Sequence, residues 1–222
     1  MVVTYGHGGY GYTAFNCTIT KDQTEIVCFS VEGVGTNHQW IIAHNIETTR
    51  GGLGGISPPS VVTTSYAPPE IDRLYVRNGT DNHHLSTAGG DVVVINGTNF
   101  GPKGTVAIGR YQNNDPGALL SGASYIQRNC SVVVQSTVAE CTTVAGVGAY
   151  HKWTITIASQ RSAHSKDTTS YKPPEVLSLS RFSDRKTIVT LQTNGSQPVY
   201  VNGTNFGPVT ISNASVESPS NQ

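Results

Sequence analysis

Residues 95–102 read INGTNFGP, and residues 201–208 read VNGTNFGP. An eight-residue phrase written nearly twice over, 106 positions apart, makes a repeated structural unit the first reading of this chain. Working outward, SYAPPEI at 65–71 recurs as SYKPPEV at 170–176, 105 positions on. A second alignment runs at 113 positions. It matches Asn16 with Asn129, Cys17 with Cys130, Cys28 with Cys141, Gly33 and Gly35 with Gly146 and Gly148, His38 with His151, and Trp40 with Trp153. The eight-residue difference falls in the loop NNDPGALLSGAS at 113–124, which has no full-length counterpart after Met1. One unit is therefore about 105 residues long.

This period orders the chain. Residues 1–67 carry the back half of a unit, residues 68–172 a whole unit, and residues 173–222 a front half. Carried back by 106, Gln222 falls at position 116; carried forward by 113, Met1 falls at 114. Both ends are expected in the same loop of the unit.

Composition narrows the fold class. The 222 residues include 24 Gly and 11 Pro, and short alternating runs of Thr, Val, Ile, Tyr and Ser fill the space between turn signals, which is the texture of an all-β protein. No helical stripe of useful length occurs. Apolar runs such as DVVVINGTNF and KWTITIAS are too short to span a bilayer, and the opening MVVTYGHGGYGY lacks the basic start and apolar centre of a secretion signal. Charged residues make up 13%, with 14 basic against 14 acidic side chains, so no large field points at nucleic acid or an anionic membrane.

The stretch PPEIDRLYVRN followed by GGDVVVINGTNFG resembles the opening of an IPT/TIG domain, and AECTTVAGVGAYHKWTITIASQRS running into TTSYKPPEV resembles its closing half. The resemblance covers nearly the whole chain and implies tandem immunoglobulin-like β-sandwiches, one complete and two complementary halves. The first copy departs from the family by lacking the Gly-x-Asn-Phe half, the third by lacking the Cys/Trp half. Relatives in this family occur as receptor or adhesin arrays, as modules beside starch-acting enzymes, and as DNA-binding domains. The last role conflicts with the balanced charge.

Residue by residue, the repeated phrase reads as a structural corner. Gly97, Asn99, Phe100 and Gly101, like Gly203, Asn205, Phe206 and Gly207, follow an alternating strand, so the glycines are expected at a bulge or tight turn and both phenylalanines in a core. Cys17 and Cys28 are eleven positions apart, as are Cys130 and Cys141. A two-residue turn at Asp22-Gln23 or Gln135-Ser136 would set each pair opposite on a hairpin, and each bridge would contribute roughly 2–3 kcal/mol by restricting the unfolded chain. Zinc is the alternative, although no C-x-x-C spacing exists. Even, repeated cysteines imply an oxidising compartment. Asn-x-Ser/Thr occurs at Asn16, Asn78, Asn96, Asn129, Asn194, Asn202 and Asn213, which predicts covalent N-glycans unless repeat copying has simply doubled accidental sequons.

Catalysis can be weighed against the repeat, since a residue serving one active site has no reason to recur. Trp40 with Trp153 and His38 with His151 recur, and read as packing residues. His83 and His84 stand alone with no third metal ligand at recognisable spacing, and Asp81 with Asp91 forms no calcium-loop pattern. GGYGY at 8–12 and GGLGG at 51–55 read as turns rather than nucleotide cradles. No enzyme activity, metal or cofactor is expected. A half sandwich, however, leaves unpaired strand edges that recruit other strands. Here each end has what the other needs, so pairing of residues 173–222 with residues 1–67 of the next chain would give a head-to-tail filament. The short Pro68-Pro69 and Pro173-Pro174 junctions would stiffen it. The expectation is an extracellular or cell-surface, glycosylated fibril subunit whose partners are identical subunits, with no nucleic acid and no membrane segment. The alternatives are a piece of a receptor or adhesin array, or a carbohydrate-binding module using Tyr5, Tyr10 and Tyr12.

Overall fold

The computed structural model describes residues 1–44, 55–79, 81–113, 124–187 and 190–209, residue 78 by its backbone alone. The loop at 114–123, most of GGLGG and the sequon at Asn213 lie outside these residues. The described chain is all-β, with one 3-10 turn at Arg77–Gly79.

The middle unit holds eight strands: β6 (Glu70–Val76), β7 (Val92–Thr98), β8 (Val106–Gln112), β9 (Ser124–Val134), β10 (Val138–Thr142), β11 (His151–Ile157), β12 (Gln160–Arg161) and β13 (Thr168–Thr169). Hydrogen bonds join them in the order β12-β11-β8-β9-β10-β7-β6, with β13 beside β11. β9 makes this path a sandwich. Its first part pairs with β8 over Ser124 to Ser131, and its end pairs with β10 over Ser131 to Val134, so one long strand serves both layers. Between the layers, Leu74, Val93, Ile95, Phe100, Ala139 and Cys141 meet Tyr111, Trp153, Ile155 and Ile157 in one buried cluster. The period-2 pattern of β7 sets which side chains face the core: Val93 and Ile95 point inward and are fully buried, while on the other face Val92 and Asn96 are half covered and Val94, between Glu140 and Tyr75, is buried as well.

The corner after β7 shows why its phrase is repeated. A Cβ at Gly97 would sit 1.9 Å from the Glu70 carbonyl oxygen and 2.6 Å from Phe100 Cζ, so only a bare backbone lets β6 lie beside β7 over the Phe100 ring. Asn99 adopts φ 63° and its Nδ2 donates to the Pro68 carbonyl at 3.1 Å, tying the corner to the proline junction. The third segment repeats each feature. A Cβ at Gly203 would sit 1.9 Å from the Glu175 carbonyl oxygen, and Asn205 donates to the Pro173 carbonyl at 3.2 Å.

Before the middle unit, β1 (Val2–His7), β2 (Tyr10–Thr13) and β5 (Gln39–Ala43) form a sheet in the order β2-β1-β5, while β3 (Phe15–Lys21) and β4 (Glu25–Phe29) form a separate hairpin. After it, β14 (Glu175–Arg181) and β15 (Val199–Thr204) form another. Each matches part of the middle unit. β14–β15 repeats the register of β6–β7, with Ser180 opposite Tyr200 as Tyr75 is opposite Val94. β3–β4 repeats the end of β9 with β10, and β5 repeats β11.

β1 repeats β8: Tyr5 lies opposite Tyr12 and Trp40 as Tyr111 lies opposite Tyr125 and Trp153. The first strand therefore aligns at 106 positions, not the 113 of the strands after it. The difference is absorbed where the two-residue turn Gly8-Gly9, at φ 62° and 88°, joins β1 to β2 in place of the longer stretch of sequence between Gln112 and Ser124.

The cysteine hairpins close by three residues rather than two. Lys21 faces Glu25 and Val134 faces Val138, with Gln23 and Ser136 in the left-handed region. A register shift in each strand then restores the opposition of the cysteines, and both pairs, Cys17–Cys28 and Cys130–Cys141, are bonded.

The Gly97→Ala variant should lower stability by about 1–3 kcal/mol because its methyl meets backbone rather than a movable side chain. Gly55→Ala, with nothing within 4 Å of the added carbon, should stay within about 0.5 kcal/mol of the parent. Urea midpoints of the two variants check this.

Candidate functional site: two open half-sandwiches

Two groups of side chains repeat in space: an aromatic box inside each unit, and a set of strand faces closed in the middle unit and open in the two flanking ones.

In the box of the middle unit, Tyr111 stacks on Trp153 at 4.2 Å between centroids and on Tyr125 at 5.1 Å, with His151 and Tyr171 edge-on to Tyr125. In the first segment Tyr5 stacks on Trp40 at 4.4 Å and on Tyr12 at 5.1 Å, with His38 and Tyr66 edge-on to Tyr12. The hydroxyls staple the loop before the Trp strand. The Val144 N–H donates to Tyr111, whose hydroxyl lies 2.7 Å from that of Tyr171, which donates to the Val144 carbonyl. Val31, Tyr5 and Tyr66 repeat the ring. Each Trp indole N–H donates to a threonine hydroxyl, Trp153 to Thr169 and Trp40 to Thr64. Pairing of this kind lets five polar-tipped rings occupy an interior.

Burial sets their protonation. It pushes the Tyr111 hydroxyl up to about 12, with smaller opposing effects of its hydrogen bonds to Tyr171 and Val144, and raises Tyr66, Tyr125 and Tyr171 as well. Burial likewise lowers His151 to about 4, against weaker support from the Val147 and Gly148 backbone. Of the three tyrosines named for sugar stacking, Tyr5 is 2% exposed, Tyr12 is half-buried among the rings and Tyr10 is exposed.

Elsewhere His83 lies 3.0 Å from the Ser170 hydroxyl and His84 beside Asp81 at 3.4 Å. The Asp81 carboxyl is held below its usual range, first by the His83 backbone N–H. Among the described residues no three His, Cys, Asp or Glu side chains converge as a metal site. Of the sequons, Asn16, Asn129, Asn194 and Asn202 are exposed, while Asn96 is half-buried with its Oδ1 unpartnered.

The open faces stand out by comparison with the middle unit. Leu74, Ile95 and Phe100 are 2%, 0% and 0% exposed; their counterparts Leu179, Val201 and Phe206 are 43%, 47% and 50% exposed. Phe206 is thus not in a core, although it repeats the corner of Phe100, because among the described residues no second layer covers β14–β15. The first segment has the converse defect. An open groove of about 680 Å³ lies between β3–β4 and β5, lined by Ile19, Ile26, Ile42 and Ile56. Val132, Ala139 and Ile155, the counterparts of Ile19, Ile26 and Ile42, are fully buried in the middle unit's core.

Successive segments meet by one repeated contact. Val34 packs on the middle core beside Gly101, where an added Cβ would come within 2.1 Å of its Cγ1, and Val147 stands at Gly207 in the same way, at 2.3 Å. Gln160 donates to the Tyr66 carbonyl across the first junction. Repeat matching singled out the cysteines, tryptophans, corner glycines and, within SYAPPEI and SYKPPEV, Tyr66 with Tyr171, but missed Tyr5 with Tyr111 and Tyr12 with Tyr125, which recur at 106 and 113 positions. It also missed the exposed Phe15, Val27, Phe29, Phe182 and Tyr200, which have no repeated identity to find.

No protein-family model, curated protein or solved structure matches this chain. Two disulfides are present, and among the described residues no helix is long and apolar enough to cross a membrane.

The depressed His151 value carries a sign. The unfolded chain, with an ordinary imidazole near 6.5, takes up a proton before the folded one, so stability is complete above pH 6.5 and falls as the pH drops from there toward 4, by on the order of 3 kcal/mol. Urea melts at pH 7, 5.5 and 4.5 should show a steeper loss for the parent than for His151→Gln, which removes the titrating group.

Proposed function

We propose that this chain is the structural subunit of an extracellular, glycosylated fibril, added head to tail as β14–β15 of one copy completes the sandwich begun by β1–β5 of the next. One observation carries this reading: the same positions that are buried in the middle unit are exposed on two segments that are complementary parts of that unit. Burying Leu179, Val201 and Phe206 in a neighbour would contribute roughly 1.5–3 kcal/mol each, before the cost of association. The pairing has a definite register. In the middle unit Ala139 faces Ile95, Glu140 faces Val94 and Cys141 faces Val93. The counterparts across the joint are Ile26 with Val201, Val27 with Tyr200 and Cys28 with Val199.

Two further points support strand exchange between copies. In the composite sandwich β1 would fill the place of β8, bringing Tyr5 where the middle unit has Tyr111; the position 106 after Tyr111 is Glu217, which could not enter the aromatic box. The junction contacts also repeat, Val34 at Gly101 and Val147 at Gly207, so each added copy would stand to its neighbour as the segments of one chain stand to each other. A contact of this heterologous kind propagates instead of closing by a two-fold axis. Sugars on the exposed sequons would coat such a rod, and its disulfides suit an oxidising compartment. The reading makes the chain a building element without catalytic activity, and the resemblance to IPT/TIG sandwiches is compatible with it.

Oxidation of a Glu25→Cys, Asn202→Cys double variant should give a ladder of covalent oligomers on non-reducing gels, since the two positions match Val138 and Asn96, which are register partners in the middle unit. Thr20→Cys with Asn202→Cys should give none. A single monomer band, together with separate particles in electron micrographs of the unmodified protein, would overturn the reading, as would native chains in which residues before Met1 or after Gln222 complete both halves.

A further inference from the structure

In the middle unit the seam between β6–β7 and β10 is closed on its outer face by an ion pair: Arg77, which opens the 3-10 turn after β6, meets the Glu140 carboxylate on β10. Glu140 stands opposite Val94. At the matching positions of the open halves every one of these residues is different. Val27 replaces Glu140, Phe182 replaces Arg77 and Tyr200 replaces Val94, while Phe29 and Phe15 stand where the middle unit has Thr142 and Arg128. Both sets are exposed, Val27 at 45% and Phe29 and Phe182 each at 56%. Each is also ordered by its own contacts. Phe182 stacks on Tyr200 at 5.0 Å and 15°, with the Arg185 guanidinium 3.2 Å from the centre of the Tyr200 ring, and Phe15 lies against Phe29 at 5.6 Å.

We propose that Val27 with Phe29 on one copy, and Phe182 with Tyr200 on the next, form a pairing code that selects the open halves for each other and against the closed unit. This rests on the head-to-tail reading above. Matched halves bring aromatic and aliphatic faces together. If β14–β15 instead displaced β6–β7 from its own unit, Glu140 would lose Arg77 and face Tyr200, whose ring already carries the Arg185 guanidinium. If β6–β7 reached β4, Arg77 would lie over Val27 and Phe29. The wrong pairings break the Arg77–Glu140 ion pair, and the second leaves Arg77 against apolar surface; the matched halves break no ion pair. The two outer-face chemistries, ionic within the chain and apolar between chains, keep one repeated fold from exchanging its own parts.

Reciprocal variants of the full chain test this. Val27→Glu alone and Phe182→Arg alone should each raise the concentration needed for assembly at least about tenfold, equivalent to about 1.4 kcal/mol. An equimolar mixture of the two should assemble near the parent concentration, because the introduced carboxylate then meets the introduced guanidinium at one joint and Val27 meets Phe182 at the next, giving a strictly alternating copolymer. The Val27→Glu, Phe182→Arg double variant should assemble by itself, which also shows that both substituted strands still fold. Single variants that assemble like the parent, or a mixture and double variant no better than the single ones, would overturn the code. If the cysteine ladder from Glu25→Cys with Asn202→Cys forms while the code fails, the fibril reading stands without it; absence of the ladder removes both.

Discussion

The seam between β7 and β10 is the contact on which the sandwich depends. It joins the pairs β6–β7 and β9–β10 edge to edge, and with it Val93 and Ile95 are sealed against Tyr111, Trp153 and Ile155. The middle unit makes this seam within the chain. In the flanking segments the corresponding strands, β15 and β4, each pair with their hairpin partner and, among the described residues, with no other strand. Unpaired edges and uncovered faces of this size are what proteins ordinarily remove by closure or by a partner, and the fibril we propose would do so by a second copy.

Around the seam two devices keep the unit rigid. The aromatic box ties the glycine-rich loop before each Trp strand to the tyrosines of two other segments through closed rings of hydrogen bonds, so a stretch poor in side chains is held by its backbone. The disulfide fixes the cysteine hairpin on the opposite side of the core, with Trp153 close to both sulfurs' neighbour Gly109. The corner phrase then links one unit to the next. Asn99 and Asn205 hold the proline junctions, and Gly101 and Gly207 leave room for a valine of the preceding unit. A residue that looks like a turn former in sequence thus serves the joint between sandwiches.

Several features were legible from residues alone because they depend on local chemistry that repeats. The all-β class follows from alternating Val, Ile and Thr runs between Gly and Pro signals. The opposition of Cys17 with Cys28 and of Cys130 with Cys141 follows from equal spacing, although the hairpins reach it by a three-residue loop and a register shift instead of a two-residue turn. The placement of β1 was less legible. Tyr5 matches Tyr111 at 106 positions while Tyr12 matches Tyr125 at 113, because a two-residue Gly8-Gly9 turn stands in for a longer stretch of sequence, and one shared tyrosine is too little signal to fix an alignment. The exposed Phe15, Phe29 and Phe182 were invisible for the opposite reason: they matter where the repeat departs from itself.

By itself, the sequence determined the repeat, its period, the strand class, the cysteine pairs and the glycines where a side chain would collide, since each of these is set by residue type and spacing. Only the tertiary structure decided which face of each strand is covered. Phe100 and Phe206 share the same phrase, yet one is sealed in a core and the other half exposed. Burial belongs to the layer packed on top of a strand, and in the middle unit that layer is contributed by segments distant in the chain, which no local pattern of residues can specify.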